Sequence, residues 1–271
     1  MPSKTNLMMR LKQIIPTFLA AIIFMSAINF VQSSQSTQIL HSQDVSLHDT
    51  TKTAKTLEER KLFQLNSKPY NHTYEEWTAK WWQWAYSIPK VINPAYDDTG
   101  KYCSENQQGP VWFFPGTFGK SVIRECAVPM GKAILLPILN SECSFAEFPE
   151  LQTVEDLRMC AKAFQDQVTQ LHFSMDGQNI SAIELEKHRI QSPPFYFTLY
   201  ENNILDLPNN TTTLAVSDGN WVFLKPPSLG KHVISFRGNV SSSTTSNQAP
   251  TESFAFPSGW NYSTTYDLVI R

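Results

Sequence analysis

The spacing of apolar side chains changes along this chain, and each change marks an element. From residue 73 to residue 88, Tyr74, Trp77, Trp81, Trp84 and Ile88 recur in steps of three and four. That is one stripe of an amphipathic helix. Thr73 followed by Glu76 is a capping box, and the residue before Pro89 is biased away from helix. A helix is therefore predicted from about Tyr74 to Ser87. Trp82 and Tyr86 lie off the stripe, one turn apart. Aromatic side chains beyond the needs of a core often line ligand grooves or contact surfaces. The competing reading is a second packed layer.

The stretch Gly109–Asn140 organises the rest of the chain. Val111–Phe114 and Ala133–Leu139 are short apolar runs between Gly/Pro turns, rich in aromatic or branched residues, and predict buried strands. Val122–Val128 between them alternates and predicts a third. A second helix is expected from Val154 to Leu171, with Thr153 as cap, Glu155 and Asp156 suiting its dipole, and Val154, Leu157, Ala161, Phe164, Val168 and Leu171 as its stripe. Beyond it the period becomes two. Asp176-Gly177 signals a hairpin. Phe195–Tyr200, Leu214–Val216, Trp221–Leu224, His232–Phe236 and Tyr266–Ile270 read as strands. Strands at this spacing, separated by turns, indicate a mainly β chain with two helices, an α+β class built as a single β-sandwich or jelly-roll-like domain.

The N-terminal part obeys different rules. Lys4, Arg10 and Lys12 precede an apolar run from Ile14 to Val31, and Val31-Gln32-Ser33 offers a cleavage site. Residues 1–33 read as a signal peptide, with an uncleaved membrane anchor as the rival, since the run approaches the roughly 20 residues that span a bilayer. Residues 34–72 are polar and poor in large apolar groups, and read as a disordered linker. The folded domain is expected at 73–271, about 200 residues, enough for one sizeable core.

Charge and cysteines narrow the setting. From residue 73 onward the chain carries 14 Lys/Arg against 20 Asp/Glu. It has no basic stripe to neutralise phosphates, so nucleic acid is not an expected partner. Cys103, Cys126, Cys143 and Cys160 form no CxxC pair. In an exported chain they predict two disulfides. Of the three possible pairings, Cys103–Cys126 and Cys143–Cys160 are favoured because each closes a short loop. Sequons at Asn71, Asn179, Asn209, Asn210, Asn239 and Asn261 fall in predicted turns or edges and are candidate glycosylation sites.

Several segments together resemble a family of exported microbial proteins to which no activity is assigned: Trp81-Trp82-Gln83-Trp84, Asn93-Pro94, Gly109-Pro110-Val111-Trp112-Phe113, Cys126-Ala127-Val128-Pro129-Met130-Gly131-Lys132-Ala133, and Gly230–Gly238. The resemblance spans about residues 74–271. It implies an exported domain and its limits, but no chemistry. The C-terminal strands also resemble the closing strands of immunoglobulin-like and carbohydrate-binding sandwiches.

Catalytic patterns are sparse. GxSxG is absent, Ser258-Gly259 lacks the nucleophile elbow, and Gly116–Lys120 lacks the spacing of a phosphate loop. His172, His188 and His232 lack zinc-site spacing, and Lys132 reads as a snorkelling side chain. Asp97 and Asp98 are adjacent acids in a turn, short of the spaced oxygens a calcium loop needs. No metal or cofactor is expected. Arg124, Glu125, Glu142 and Glu147 flank the apolar strands and could supply a carboxylate pair. The favoured reading is a non-catalytic extracytoplasmic binding or surface-interaction domain for a carbohydrate or apolar small molecule, with Trp82, Tyr86 and Trp112 as stacking residues. The alternatives are a secreted hydrolase using carboxylates such as Glu125 and Glu142, and a structural envelope component. Its partner is then an extracellular ligand or an envelope component, with membrane contact only through an uncleaved N-terminal segment.

Overall fold

The computed structural model describes residues 61–240, 256 and 259–271. The expected signal or anchor at 1–33 and most of the expected linker lie outside the described residues. Among those described, ten strands form two open five-stranded sheets, accompanied by three α-helices. The fold is mainly β in an α+β class, a sandwich as its alternating pattern predicts.

The first sheet runs in the order β1 (Val111–Phe113), β3 (Ala133–Ser144), β8 (Thr212–Leu224) and β6 (Arg189–Gln191), with β7 (Phe195–Thr198) also paired to β8. The second runs β2 (Ser121–Val128), β10 (Asn261–Ile270), β9 (Gly230–Val240), β4 (Val168–Met175) and β5 (Gln178–Ile180). Two pairs are parallel, β1 with β3 and β10 with β2; the others are antiparallel. The alternation of apolar residues on each strand meets face to face between the sheets. Trp112, Ile134, Leu136, Val222 and Leu224 from one side pack on Phe173, Ile234, Phe236, Tyr266 and Leu268 from the other.

Helix α1 (Tyr74–Tyr86) covers the outer face of the first sheet. Its capping box forms as the sequence predicts: Glu76 N–H donates to Thr73 Oγ1 and Thr73 N–H to Glu76 Oε2. The Tyr74–Trp77–Trp81–Trp84–Ile88 stripe packs on Val111, Phe113, Leu135, Trp221 and Phe223. Burying a side chain of this kind is worth about 1.5–3 kcal/mol, so the stripe fixes the helix firmly to the sheet.

Four local expectations are corrected. Helix α2 (Val154–Gln165) stops six residues early. Val168 and Leu171 belong to β4 instead, because a strand against β9 also half-buries them. The two expected strands at 214–216 and 221–224 are one long strand, β8. Its polar middle stays extended with its larger side chains partnered: Asp218 takes Arg189, and Asn220 accepts from Gln165. A short helix α3 (Ala182–Lys187), capped by Ser181, adds an element that the apolar spacing does not predict. The polar linker expected to reach residue 72 is folded from residue 61. Leu62 is fully buried and bridges Leu224, and Phe63 N–H donates to Phe223 O.

Both expected disulfides are present. Cys103–Cys126 ties the 95–103 loop to β2, and Cys143–Cys160 ties β3 to α2. In the chain-entropy model loops of this size stabilise by about 3 kcal/mol each. The two bonds suggest an extracellular setting, since disulfides persist in oxidising compartments. Gly100 shows how close the first loop lies: it has φ +90°, and a Cβ there would sit 2.1 Å from Glu125 O. Among the described residues no helix is long and apolar enough to cross a membrane.

Candidate functional site

The best candidate site is an aromatic pocket beside α1. It encloses about 130 Å³ and is lined by Trp81, Trp82, Thr117, Asn140, Trp260 and Tyr262, among others. Three kinds of element build it. Helix α1 supplies the two tryptophans, edge to face at 5.0 Å. The loop after β1 supplies Pro115–Phe118. The start of β10 supplies Tyr262, against whose ring Gly116 lies so closely that a Cβ would come within 2.9 Å. Phe118 is exposed at the rim and packs against Tyr96, ring centroids 4.8 Å apart and tilted by 36°.

Three polar atoms of this mostly apolar pocket lack a hydrogen-bond partner, as do several outside it, among them Trp112 Nε1, Trp221 Nε1 and Ser217 Oγ. Trp82 Nε1, Thr117 Oγ1 and Asn140 Nδ2 are buried without a hydrogen-bond partner. An unpartnered buried polar group costs about 1–3 kcal/mol, and native structures keep few of them. Trp81, which lines the same pocket, donates to Phe114 O at 3.1 Å and is satisfied. Burial pushes the Tyr262 hydroxyl far above its ordinary value, so it stays protonated. The arrangement can therefore hold a flat ring between aromatic walls and offer N–H and O–H groups to an acceptor on it.

Behind the pocket Arg124 fixes its walls. It is 1 % exposed. Its Nη1 donates to Pro115 O and Gly116 O, both at 3.0 Å, and to Tyr266 Oη at 2.8 Å, while Nε donates to Asp97 O at 2.6 Å. The arginine thus joins the 95–97 and 115–116 loops, both of which line the pocket or its rim. Asp97 is occupied as a loop cap. Burial alone would raise its carboxyl, but hydrogen bonds from the N–H groups of Tyr102 and Thr99 hold it below the ordinary value. Asp98 pairs with Lys120.

The predicted stacking trio does not form one surface. Trp82 lines the pocket. Tyr86 is 3 % exposed and packs on Trp82 and on Phe197, at 5.3 and 4.3 Å; the second-layer reading holds for it. Trp112 lies between the sheets, 5 % exposed. The side chains that sequence reasoning missed are Thr117, Asn140 and Trp260. Asn140, a lone amide ending a seven-residue apolar run, was the legible signal among them.

The carboxylates also sort differently. Glu125 is on the outward face of β2, in register with Asp267, and Glu142 is buried on β3 of the other sheet. They form no pair. Glu142 instead meets Glu147. Tyr86 Oη donates to Glu142 Oε2 at 2.5 Å and Ser144 Oγ to Glu147 Oε2 at 2.6 Å. Burial pushes both carboxyls above their ordinary value, and for Glu142 the neighbouring charge of Glu147 adds to it. Burial and the two neighbouring acids also raise Tyr86. Neither glutamate lines the aromatic pocket. His232 bonds Asp176 and Ser228 O, His188 is buried beside Tyr74, and Lys132 Nζ donates to Gly109 O. The sequons at Asn71, Asn179, Asn209, Asn210 and Asn261 are exposed, and Asn239 is half-buried.

No family model matches the chain, and no curated protein matches it. Among solved structures it is similar to a cysteine protease inhibitor from Entamoeba histolytica, at 9 % identity and a TM-score of 0.20, covering 59 % of this chain and 96 % of that one. A likeness that slight carries no argument about fold or function.

Proposed function

We propose that this chain is an extracytoplasmic binding domain whose aromatic pocket holds a small ring-shaped ligand bearing a hydrogen-bond acceptor. The carrying observation is that Trp82 Nε1, Thr117 Oγ1 and Asn140 Nδ2 stand unpartnered around one aromatic cavity. A cavity of about 130 Å³ is close to the roughly 150 Å³ of an engineered apolar cavity that takes benzene. A single five- or six-membered ring is the matching size, in keeping with an apolar small molecule or one sugar ring. The disulfides and the basic, apolar N-terminal sequence support export, either as a secreted protein or held at the surface by residues 1–33. The resemblance to exported microbial proteins agrees with that compartment.

The hydrolase reading has less support. Its favoured pair, Glu125 and Glu142, lies on different sheets, and the pair that does meet, Glu142 with Glu147, lies outside the aromatic pocket. A thermal-shift screen of the full chain against single-ring amides, lactones and sugars tests the binding reading. At least one compound should raise the melting temperature in the wild type and lose most of that effect in Asn140→Leu. A ligand that stabilises both proteins equally would place binding elsewhere.

A further inference from the structure

A second cleft lies where β4 and β9 meet α3, β6 and the end of α2. It encloses about 520 Å³, within the range of about 300–1,000 Å³ typical of small-molecule sites. Its wall is about evenly polar and apolar, whereas that of the aromatic pocket is mostly apolar. Arg189 is already engaged there: Asp218 accepts from its Nε and Nη2 at 3.0 and 2.9 Å, and Asp166 from Nη1 at 2.7 Å.

Arg237 is not so held. It is exposed, and among the described residues no carboxylate pairs with it. Directly opposite it in the β4–β9 register is His172. Two basic groups facing each other across a strand pair repel when both are charged. Burial, and then the charge of Arg237, hold His172 below its ordinary value. The other charged groups lining the cleft are Arg189 from β6 and Glu186 from α3. At the floor, Gln165 is 2 % exposed and spends its amide N–H groups on Leu139 O and Asn220 Oδ1, at 3.2 and 2.7 Å. Its Oε1 is buried with no partner. The cleft therefore combines an arginine without an ion-pair partner, a histidine opposite it and an unspent acceptor.

We infer that this cleft binds an acidic sugar of one or two rings, with Arg237 and His172 holding the carboxylate and Gln165 and Glu186 accepting from hydroxyls. The aliphatic side chains of Val168 and Leu171 on the same wall give the C–H face of a ring a surface to lie on. An anion gives Arg237 the partner it lacks, and His172 too once that ring gains its proton, and that is what selects an acidic sugar over a neutral one. The inference is independent of the aromatic pocket, so Trp82→Phe should leave it intact.

The test is calorimetric titration of the full chain with glucuronate, with glucose and inorganic sulfate as separate arms. Glucuronate should bind, and glucose should bind at least about tenfold more weakly, the scale of one hydrogen bond to a charged group. Arg237→Gln, which melts with the wild type because the side chain is exposed, should lose at least about tenfold in affinity. Affinity should rise between pH 7.5 and 5.5 as His172 gains its proton, and His172→Gln should flatten that rise. Absence of glucuronate binding, equal binding of glucose, sulfate binding as tight as glucuronate, or an unaffected Arg237→Gln would each overturn the inference.

Discussion

Arg124 and the aromatic pocket are neighbours that treat buried polarity in opposite ways. Arg124 is charged and almost wholly enclosed, yet its guanidinium is taken up by main-chain carbonyls and Tyr266. The pocket beside it is apolar in character, yet it leaves an indole N–H, a hydroxyl and an amide without partners. The same loops, 95–97 and 115–116, serve both. A chain able to satisfy a buried arginine so fully is not short of acceptors in that region. On the proposed binding reading, the unspent groups of the pocket await something that enters it, and the arginine is the rigid support that keeps the site open.

That contrast breaks most readily at its supporting side. Arg124→Gln should cost at least about 3 kcal/mol, because several buried carbonyls lose their donor together. Chemical denaturation measures the loss, and the compounds that stabilise the wild type should no longer do so. Retained stability would mean that the arginine supports nothing.

A smaller effect sharpens the contrast by pH. Glu142 and Glu147 are buried acids with no cation between them, and both are raised by burial. The folded state therefore holds a proton that the unfolded chain releases above about pH 4.3. The stability tied to that proton is complete below the unfolded value and is lost as pH rises through the folded one, at up to about 1.4 kcal/mol per pH unit. Glu142→Gln should flatten the decline between pH 5 and 8. An equally steep decline in that variant would assign it to other groups. Since these acids sit outside the pocket, the variant should bind pocket ligands as the wild type does.

Much of the framework was legible in the sequence, for physical reasons. The helical stripe of α1, its capping box and the alternating strands are local patterns, and local patterns survive folding. The cysteine pairing is a matter of short loop closure. The failures came where tertiary partners decided. Val168 and Leu171 fit a helical stripe and a half-buried strand equally well. Ser217–Asn220 is a polar break between two apolar runs, and its pairing as one strand depends on Arg189 and Gln165, which bond Asp218 and Asn220. The stacking trio failed similarly. Trp82, Tyr86 and Trp112 are chemically alike, and only their position relative to two sheets distinguishes a pocket wall from a core. Glu142 and Glu147 both stand out beside the apolar strands, but that they meet each other rather than Glu125 depends on which sheet each strand joins.

The most direct measurement uses the indole N–H signals of the full chain labelled with ¹⁵N-tryptophan. A single-ring amide that stabilises the protein should move the Trp82 signal in a saturable way, because its Nε1 gains an acceptor, and leave Trp112 between the sheets in place. If the stabilising compounds leave Trp82 unmoved, or shift Trp112 as much, the pocket is not the binding site.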